Sequence, residues 1–481
     1  MKKYLIIDMG TSSVRVAIMD DELHIVDAEV VKRVADVTFD AGHEWEMIFE
    51  LMCRICSRHD NISAVSSSSL LSWVGLDNDL NAVTPCMTYM HQCREEYEAF
   101  SKTHDDSHVY GVSLRRMSAE NAAFKLVHLK NSKPEIYSKM KCLTTLKDFI
   151  NAKLTGRCCI DHTFAGYTLL YNVEKACWDE DAIREFGTDI DKLPELERPY
   201  SIVGELRPEI AKALGLVAGI PVVCGSVDGS TGILGAGAYE AGTAVSVMGT
   251  TDVVFMVHSK LTADKTFGVV TNPHVYPGMW ISGGPMGLYG GTVDWFMNTI
   301  SESGRSIAEL TELAAKLSPG SDGLIAFPTL SGERTPFWKS DMKGCFLGME
   351  MKHRPEHIFR SILEANAFSV RKIFETGAGM GIYPDRVIAI GGGSHSDLWL
   401  QIKTDVTRIP HYRLNITEAT MTGALMLAML ALGTSPDYLP RLISEKRFDV
   451  NEDTAVVYDV LYEKYMRVHD CVSGIFESEP K

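Results

Sequence analysis

The chain has 481 residues, of which 45% are hydrophobic and 23% charged, as is typical of a globular protein with two or three domains. Its formal net charge of −16 argues against nucleic acid as the main partner, because phosphate backbones are bound by stripes of lysine and arginine. Eleven scattered cysteines favour the reducing cytoplasm, and no apolar run is long enough to predict a signal peptide or a membrane span.

The N-terminal stretch is predicted to be a β-meander. Residues 4–7 form a buried-strand run, residues 14–19 alternate as a return strand, and residues 24–32 indicate a third strand. The loop between the first two strands reads Asp-Met-Gly-Thr-Ser-Ser from Asp8. A polar hairpin loop is common, so taken alone it indicates an ordinary turn. Further along, a small-residue strand is predicted at 63–69 and helices at 44–59, 93–102, 119–131, 146–154 and 206–214.

A glycine-rich segment near the middle of the chain offers a candidate general base. Residues 222–224 indicate a buried strand, Gly225 and Gly229 bracket Asp228 in a turn, and residues 230–234 can open a helix. Glycines let backbone and ligand approach closely, and ligands bind where strands feed helices in open α/β sheets. A single aspartate in such a turn is more often a capping residue, so Asp228 needs support from other sites.

A second hairpin follows, and it resembles the first. Residues 244–257 are an apolar strand, a Gly249-Thr250-Thr251 loop and an apolar return strand. This weak internal repeat, about 240 residues from the first copy, predicts two similar α/β domains. Backbone N–H groups and hydroxyls in both hairpins could hold a polyphosphate from two sides.

In the second half of the chain, apolar residues recur mostly at the spacing of an α-helix. The strand predicted at 386–390 ends in Gly391-Gly392-Gly393 and leads to a helix, a joint at which a phosphate or a flat ring can lie against bare backbone. No Walker loop and no dinucleotide fingerprint is present. Helices are predicted at 290–299, 307–317, 355–378, 396–407, 419–432 and 456–475.

These residues resemble the FGGY carbohydrate kinases from about residue 4 to residue 433. One family signature is matched at every defined position, from Gly344-Cys-Phe-Leu-Gly-Met to His357-Ile-x-x-Ser-Ile-Leu-Glu. The segment 332–338 is similar to the one that precedes this signature in xylulokinase-like members. A second signature, near 117–131, is degraded, with His128 near the usual tryptophan.

The resemblance implies an α/β fold with two ribonuclease-H-like domains, of the actin, hexokinase and Hsp70 type, around a central cleft. We expect an N-terminal domain at 1–240, a nucleotide-side domain at 241–440 and a helical tail at 441–481. ATP and Mg²⁺ are the implied cofactors and a small sugar the implied partner. No nucleic-acid or membrane partner is expected, and a homodimer is left open.

The resemblance also assigns roles to particular residues. Asp228 matches the catalytic base, which takes the proton from a sugar hydroxyl as it attacks the γ-phosphate of ATP. Asp8 matches a carboxylate that helps to hold Mg²⁺, through water. The implied nucleotide-binding residues are Thr11, Ser12, Ser13, Gly249, Thr250, Thr251, Gly290, Gly291, Asp294, Gly392, Gly393 and Ser396.

The sugar side departs from the xylulokinase pattern. Leu70-Leu71-Ser72 replaces Met-His-Gly, and the segment 89–93 replaces Trp-x-Asp-x-Arg, so that His91 stands where an acidic residue is usual. We expect Trp73, Tyr89, His91 and Asp228 to contact substrate, unless the first three only pack the loop. The sugar is expected to be a ketopentose such as xylulose; a polyol, a gluconate-like sugar acid and an autoinducer-2-like dihydroxy ketone are alternatives. The alternative of another class is a nucleotide-operated interaction protein.

Overall fold

The computed structural model describes residues 2–301, 305–414, 416, 418–435, 439 and 444–476. The chain forms two compact units, each assembled from separate stretches. Unit 1 comprises Met1–Gly237, Asn272–Met279 and Glu418–Arg441, and unit 2 comprises Ala238–Thr271, Trp280–Thr417 and Leu442–Lys481. Residues 418–440 were expected in the second domain, whereas in the structure this stretch belongs to unit 1.

The core of unit 1 is a mixed β-sheet with smaller sheets beside it. Its strands are β1 (Lys3–Met9), β2 (Ser13–Asp20), β3 (Ile25–Lys32), β4 (Thr38–Phe39), β5 (Ile62–Ser69), β6 (Ser72–Leu76), β7 (Cys86–Thr88), β8 (Cys142–Thr144), β9 (Cys159–Asp161), β10 (Tyr171–Asn172), β11 (Cys177–Trp178), β12 (Glu195–Glu197), β13 (Ile202–Glu205), β14 (Pro221–Val223) and β15 (Ser226–Val227). Its helices up to Gly237 are α1 (Ala41–Cys56), α2 (Arg94–Ser101), α3 (Asp106–Ser113), α4 (Ala122–Ser132), α5 (Pro134–Lys139), α6 (Leu146–Thr155), α7 (His162–Ala165), α8 (Glu180–Glu185), α9 (Pro208–Leu214) and α10 (Asp228–Gly235).

The rest of the chain supplies a second large sheet. The strands of this part of the chain are β16 (Thr243–Met248), β17 (Asp252–His258), β18 (Val270–Pro273), β19 (Trp280–Gly287), β20 (Ile325–Phe327), β21 (Cys345–Leu347), β22 (Arg386–Ile390), β23 (His411–Arg413) and β24 (Lys446–Phe448), of which β20 and β21 form a separate small sheet. The helices of this part of the chain are α11 (Tyr289–Thr299), α12 (Ile307–Ala315), α13 (Pro355–Gly379), α14 (Asp397–Thr407), α15 (Ala419–Ala431) and α16 (Glu452–Phe476). None of the helices in the described part of the chain has both the length and the apolar composition that a membrane crossing needs.

The two large sheets share one topology. In unit 1, β1 pairs antiparallel with β2, and β2 pairs antiparallel with β3. On the other edge of β1, β5 pairs in parallel with β1, and β14 pairs in parallel with β5. In unit 2, β16, β17 and β19 repeat the antiparallel meander, and β22 and β23 repeat the parallel side. The internal repeat predicted from the two hairpins is therefore confirmed at the level of strand order. Helices cover central strands such as β1, which explains why these strands are apolar without alternation.

Helix α15 returns to unit 1 and packs tightly on α10, the helix that begins with Asp228. A Cβ atom on Gly235 would lie 1.8 Å from the carbonyl oxygen of Ala419, and one on Gly423 would lie 1.9 Å from that of Thr231. Only glycine permits so close an approach of two helix backbones. The predicted helix at 419–432 thus fixes the position of α10.

The C-terminal helix α16 is part of the core of unit 2 and not an appended tail. Tyr458, Tyr462 and Tyr465 are buried in the same apolar cluster as Phe368 of α13. The Tyr458 hydroxyl also donates a hydrogen bond of 3.0 Å to Glu364. The predicted helix at 456–475 is present, but its tyrosines pack as interior residues.

Candidate active site

Two carboxylates of unit 1 lie at the ends of β1 and β15, the two strands that pair with the same end of β5. Asp8 is in β1, buried, and its Oδ1 accepts a hydrogen bond of 2.9 Å from Ser68 Oγ of the adjacent β5. Asp228 is the first residue of α10, with Val227 as N-cap, and not a turn residue as the glycine spacing predicted. The residue keeps some exposed surface although protein atoms surround its carboxylate, whose Oδ1 accepts a hydrogen bond of 2.7 Å from the Gly229 N–H.

Both carboxylates have raised pKa values. Burial, followed by the negative charge of Asp8, raises the pKa of Asp228 to about 7. Burial also raises the pKa of Asp8 to about 6, against the opposing effects of the Ser68 hydrogen bond and of Arg15. A carboxylate with a pKa near neutrality can accept a proton and release it again at physiological pH, which is what a general base requires.

The first predicted phosphate hairpin joins β1 to β2. Gly10 N–H donates to the carbonyl oxygen of Ser13 at 2.9 Å and closes the turn. Ser12 is exposed, Thr11 is partly exposed, and Ser13 is the first residue of β2. The three hydroxyl residues therefore follow directly on the strand that carries Asp8.

The second hairpin, between β16 and β17, packs against the start of α11. The carbonyl oxygen of Thr250 accepts a hydrogen bond of 3.0 Å from the Gly291 N–H. A Cβ atom on Gly290 would lie 2.1 Å from the carbonyl oxygen of Gly249, so only glycine allows this contact. The Gly-Thr-Thr loop and the glycines of α11, which are distant in sequence, thus form one structural feature.

A cavity of about 760 Å³ in unit 2 collects most of the predicted nucleotide-side residues. This volume lies within the range of small-molecule and cofactor sites. Thr251 and Gly291 are neighbours of the lining residues and are not part of the lining. The predicted residues that line the cavity are Gly249, Thr250, Gly290, Asp294, Gly392, Gly393 and Ser396.

The triple glycine and Ser396 form one wall of this cavity. Gly392 begins a 3₁₀ turn that ends at His395, and Ser396 caps α14 by accepting a hydrogen bond of 3.3 Å from the Trp399 N–H. A Cβ atom on Gly392 would meet no atom within 4 Å. The wall is therefore bare backbone with open space in front of it, as expected for a ring or phosphate surface.

Sequence reasoning missed the apolar half of the cavity. Ile307 of α12, Phe359 and Leu363 of α13, and Trp399 of α14 contribute apolar surface. These positions belong to helices that were predicted, but their periodicity shows only that one face is buried and not what that face meets. Phe359 and Leu363 lie within the family signature at residues 357–364, which could have pointed to this wall.

The predicted sugar-side residues lie in unit 1, on and after two paired strands. Trp73 in β6 pairs with Met87 in β7, and Tyr89 follows β7 with about 36% of its surface exposed. Trp73 is a core residue, packed edge-on against Phe164 at 6.0 Å, and its buried Nε1 has no hydrogen-bond partner among the described residues.

His91 is partly buried beside a buried lysine. Its carbonyl oxygen accepts a hydrogen bond of 2.6 Å from Lys125 Nζ. Burial, together with the charge of Lys125, lowers the pKa of His91 to about 4. The imidazole is therefore neutral at physiological pH and offers one donor and one acceptor nitrogen.

Comparison with known proteins agrees with this architecture. A gluconokinase of Bacillus subtilis is 27% identical, over 96% of this chain and 94% of that protein. A xylulose kinase of Bacillus subtilis is 27% identical, over 90% of this chain and 89% of that protein. The crystal structure of xylulose kinase from Rhodospirillum rubrum shares the fold, with a TM-score of 0.93, 21% identity and coverage of 99% of this chain and 100% of that chain.

The two large sheets, each with its helices, define a two-domain α/β protein. The N-terminal domain of the FGGY family of carbohydrate kinases matches residues 3–235, and its C-terminal domain matches residues 244–432. The chain belongs to this family. It is therefore a sugar kinase, a phosphotransferase with an alcohol group as acceptor, and sugar kinases of this family use ATP and typically a divalent metal.

Proposed function

We propose that this protein transfers the γ-phosphate of ATP to a hydroxyl of a ketopentose such as xylulose. The cavity of unit 2, which gathers seven of the predicted nucleotide-side residues, carries the nucleotide part of this proposal. The likeness to xylulose kinases along almost the whole chain supports the sugar part.

On the nucleotide side, the chain binds mainly through backbone and apolar surface. In this proposal the backbone N–H groups of Gly249 and Thr250 and the Thr250 hydroxyl hold the phosphates, and the glycines at 392 and 393 contact the adenosine, since these residues all line the cavity. This mode suits a protein of net charge −16, which cannot attract a nucleotide by its overall charge.

On the acceptor side, Asp228 accepts the proton of the attacking hydroxyl. Its pKa of about 7 leaves a large fraction ionised at neutral pH while keeping the group basic enough to take a proton. Positioning of the hydroxyl supplies much of the remaining rate acceleration, because the transition state of phosphoryl transfer is loose and needs little help from the base.

Asp8 fits a magnesium ligand. It is a hard oxygen donor beside a second carboxylate whose pKa it raises, so a cation there relieves a repulsion that the structure already contains. We propose that Asp8 holds Mg²⁺ through water. When bound, the ion neutralises charge on the phosphates.

A gluconate-like sugar acid is the second candidate substrate, and His91 favours it. This neutral side chain stands where xylulokinases have an acidic one, so the repulsion that a carboxylate-bearing substrate would meet is removed. ADP formation with Mg²⁺-ATP and xylulose, gluconate, polyols or dihydroxy ketones would separate the candidates. Greatest kcat/KM for xylulose supports the first proposal. Turnover of gluconate alone replaces it with the second, and nucleotide-dependent partner binding without turnover of any sugar would contradict both.

We expect kcat/KM for the sugar to rise with pH along an acidic limb that ends near pH 7, because burial raises the pKa of Asp228 even when bound Mg²⁺ removes the repulsion from Asp8. The raised pKa of Asp228 means that the carboxylate is protonated below that value and cannot accept the hydroxyl proton. A pH profile at saturating Mg²⁺-ATP measures this acidic limb. A rate that stays constant down to about pH 5 would contradict a base of raised pKa.

Filling the cavity at Gly392 is expected to raise KM for ATP by about tenfold or more, which corresponds to ~1.4 kcal/mol. In Gly392→Leu the added Cβ meets no atom within 4 Å and the side chain extends into the cavity, so we expect the fold to be retained. Gly379→Leu is the matched control, because Gly379 also faces open space and does not line the cavity. Steady-state kinetics with varied ATP concentration measures KM for ATP in both variants. An equal rise of this KM in both variants would contradict the assignment of the cavity to the nucleotide.

A further inference from the structure

Two histidines and a glutamate of unit 1 form a cluster that has no role in the proposed phosphoryl transfer. His104 Nε2 lies 3.0 Å from Glu185 Oε1, and His108 Nε2 lies 2.6 Å from Glu185 Oε2. The three ligand atoms all lie within 4.8 Å of one another. His108 is in α3 and Glu185 ends α8, so the group joins two helices 77 residues apart in sequence.

The hydrogen bonds around His104 assign its tautomer. Thr103 Oγ1 donates to the carbonyl oxygen of Phe100 at 3.2 Å, so the same hydroxyl is left to accept from His104 Nδ1 at 2.9 Å. The Phe100 carbonyl, which can only accept, is also 3.3 Å from Nδ1. Nδ1 therefore carries the hydrogen, and in the neutral ring the lone pair of Nε2 points at the Glu185 carboxylate.

Two electron pairs that face each other at 3.0 Å repel unless a proton or a metal ion lies between them. Metal-ligating histidines usually donate their other N–H to a carbonyl or carboxylate, and His104 is held in this way. Its ring also stacks on Phe100 at 4.1 Å, and Phe100 stacks on Phe186 at 4.2 Å. The hydrogen bonds at Nδ1 and the stacking on Phe100 thus fix the orientation of the imidazole before any ion binds.

Two other groups of potential ligands in unit 1 are less suited to a metal. Lys147 Nζ already supplies a cation to the buried cluster of Asp148, Cys159 and Cys224, at 3.8 Å from the Cys224 sulfur. In the cluster of Cys93 with Glu96 and His128, burial raises the pKa of the Cys93 thiol to about 11. A thiol in that state is a poor ligand at neutral pH.

We propose that His104, His108 and Glu185 bind one divalent transition-metal ion of the zinc class, with water completing the coordination. Two imidazoles and a carboxylate suit Zn²⁺, Co²⁺ or Ni²⁺ better than Mg²⁺, which prefers oxygen ligands alone. Ligand atoms of one tetrahedral zinc ion lie about 3.4 Å apart, so small rotations of these side chains suffice. The side chains are 23%, 49% and 33% exposed, which lets an ion reach them from solvent.

Spectroscopic titration of the metal-free, full-length protein with Co²⁺ tests the site. Excess Mg²⁺ should be present to fill oxygen-only sites, and nucleotide and sugar should be absent. We expect one Co²⁺ per chain with visible d–d absorption, no thiolate charge-transfer band, and displacement by Zn²⁺. His108→Gln and Glu185→Gln are each expected to weaken Co²⁺ binding by more than about tenfold.

His43→Gln is the matched control, because His43 is an exposed histidine elsewhere in unit 1 and its loss should leave Co²⁺ affinity unchanged. Circular dichroism of each variant checks the fold. Wild-type affinity in both ligand variants, or absence of Co²⁺ absorption in the wild type, overturns the proposal. A thiolate charge-transfer band also overturns it, because the ion would then lie at a cysteine cluster.

Discussion

Replacement of Asp228 by asparagine is expected to lower kcat by about 10²- to 10⁴-fold while ATP binds with nearly unchanged affinity. Asparagine keeps the size and one oxygen of the carboxylate but cannot accept the hydroxyl proton. The nucleotide-side cavity is lined entirely by residues of unit 2, whereas Asp228 belongs to unit 1. The substitution should therefore lower turnover without lowering the affinity for the nucleotide.

The measurement is kcat with the best sugar of the panel, together with calorimetric titration of ADP. Asp60→Asn serves as control, since Asp60 is an exposed aspartate of the same unit and its charge is lost in the same way. Near-normal turnover in Asp228→Asn would remove this residue as the base. Loss of ADP binding together with turnover would instead indicate that the substitution disturbs the fold.

The prediction of the fold from sequence succeeded where a pattern is local. The runs that became β1 and β16 are apolar without alternation, and each is followed by a Gly-Thr turn and an apolar return strand. Such a pattern specifies its own hairpin, so the repeat could be recognised without any contact information. The helices that begin at caps, such as α6 after Thr145, were equally recognisable.

The failures concern contacts between distant segments. Nothing local in residues 419–431 shows that α15 packs on α10 rather than on the segments next to it in sequence. The glycines at 235 and 423 allow the two helices to approach closely, and this role is visible only when both helices are seen together. The position of Asp228 inside α10 was missed for a local reason, because the N-cap residue Val227 makes no side-chain capping hydrogen bond and so gives no signal of a helix start. The apolar wall of the cavity required the packing of three helices, which periodicity cannot supply.

A buried ion pair below the second phosphate hairpin carries the largest expected effect on stability. Asp252, the first residue of β17, accepts hydrogen bonds from Lys403 Nζ at 2.7 Å and from Asn366 Nδ2 at 2.8 Å. Asn366 Oδ1 in turn accepts from Trp399 Nε1, in the cavity wall, at 3.0 Å. Lys403 is fully buried, and burial lowers its pKa although Asp252 opposes this effect.

Lys403→Met is expected to lower the free energy of unfolding by about 3–5 kcal/mol, because it leaves the carboxylate of Asp252 buried without its counter-charge. The double variant Lys403→Met with Asp252→Asn removes that charge and should recover part of the loss. Lys372→Met is the control, since Lys372 and Glu375 form an exposed pair at 4.0 Å whose loss should cost less than about 1 kcal/mol.

Urea unfolding followed by tryptophan fluorescence measures all three variants, since Trp399 belongs to the network. A double variant less stable than Lys403→Met would contradict the uncompensated charge as the cause. Because the network joins the hairpin to the cavity wall, Lys403→Met should also weaken ATP binding, and the double variant should recover part of that affinity together with part of the stability. Stability and nucleotide binding would then depend on the same buried charge, which links the β17 end of the hairpin to the helix that carries Trp399.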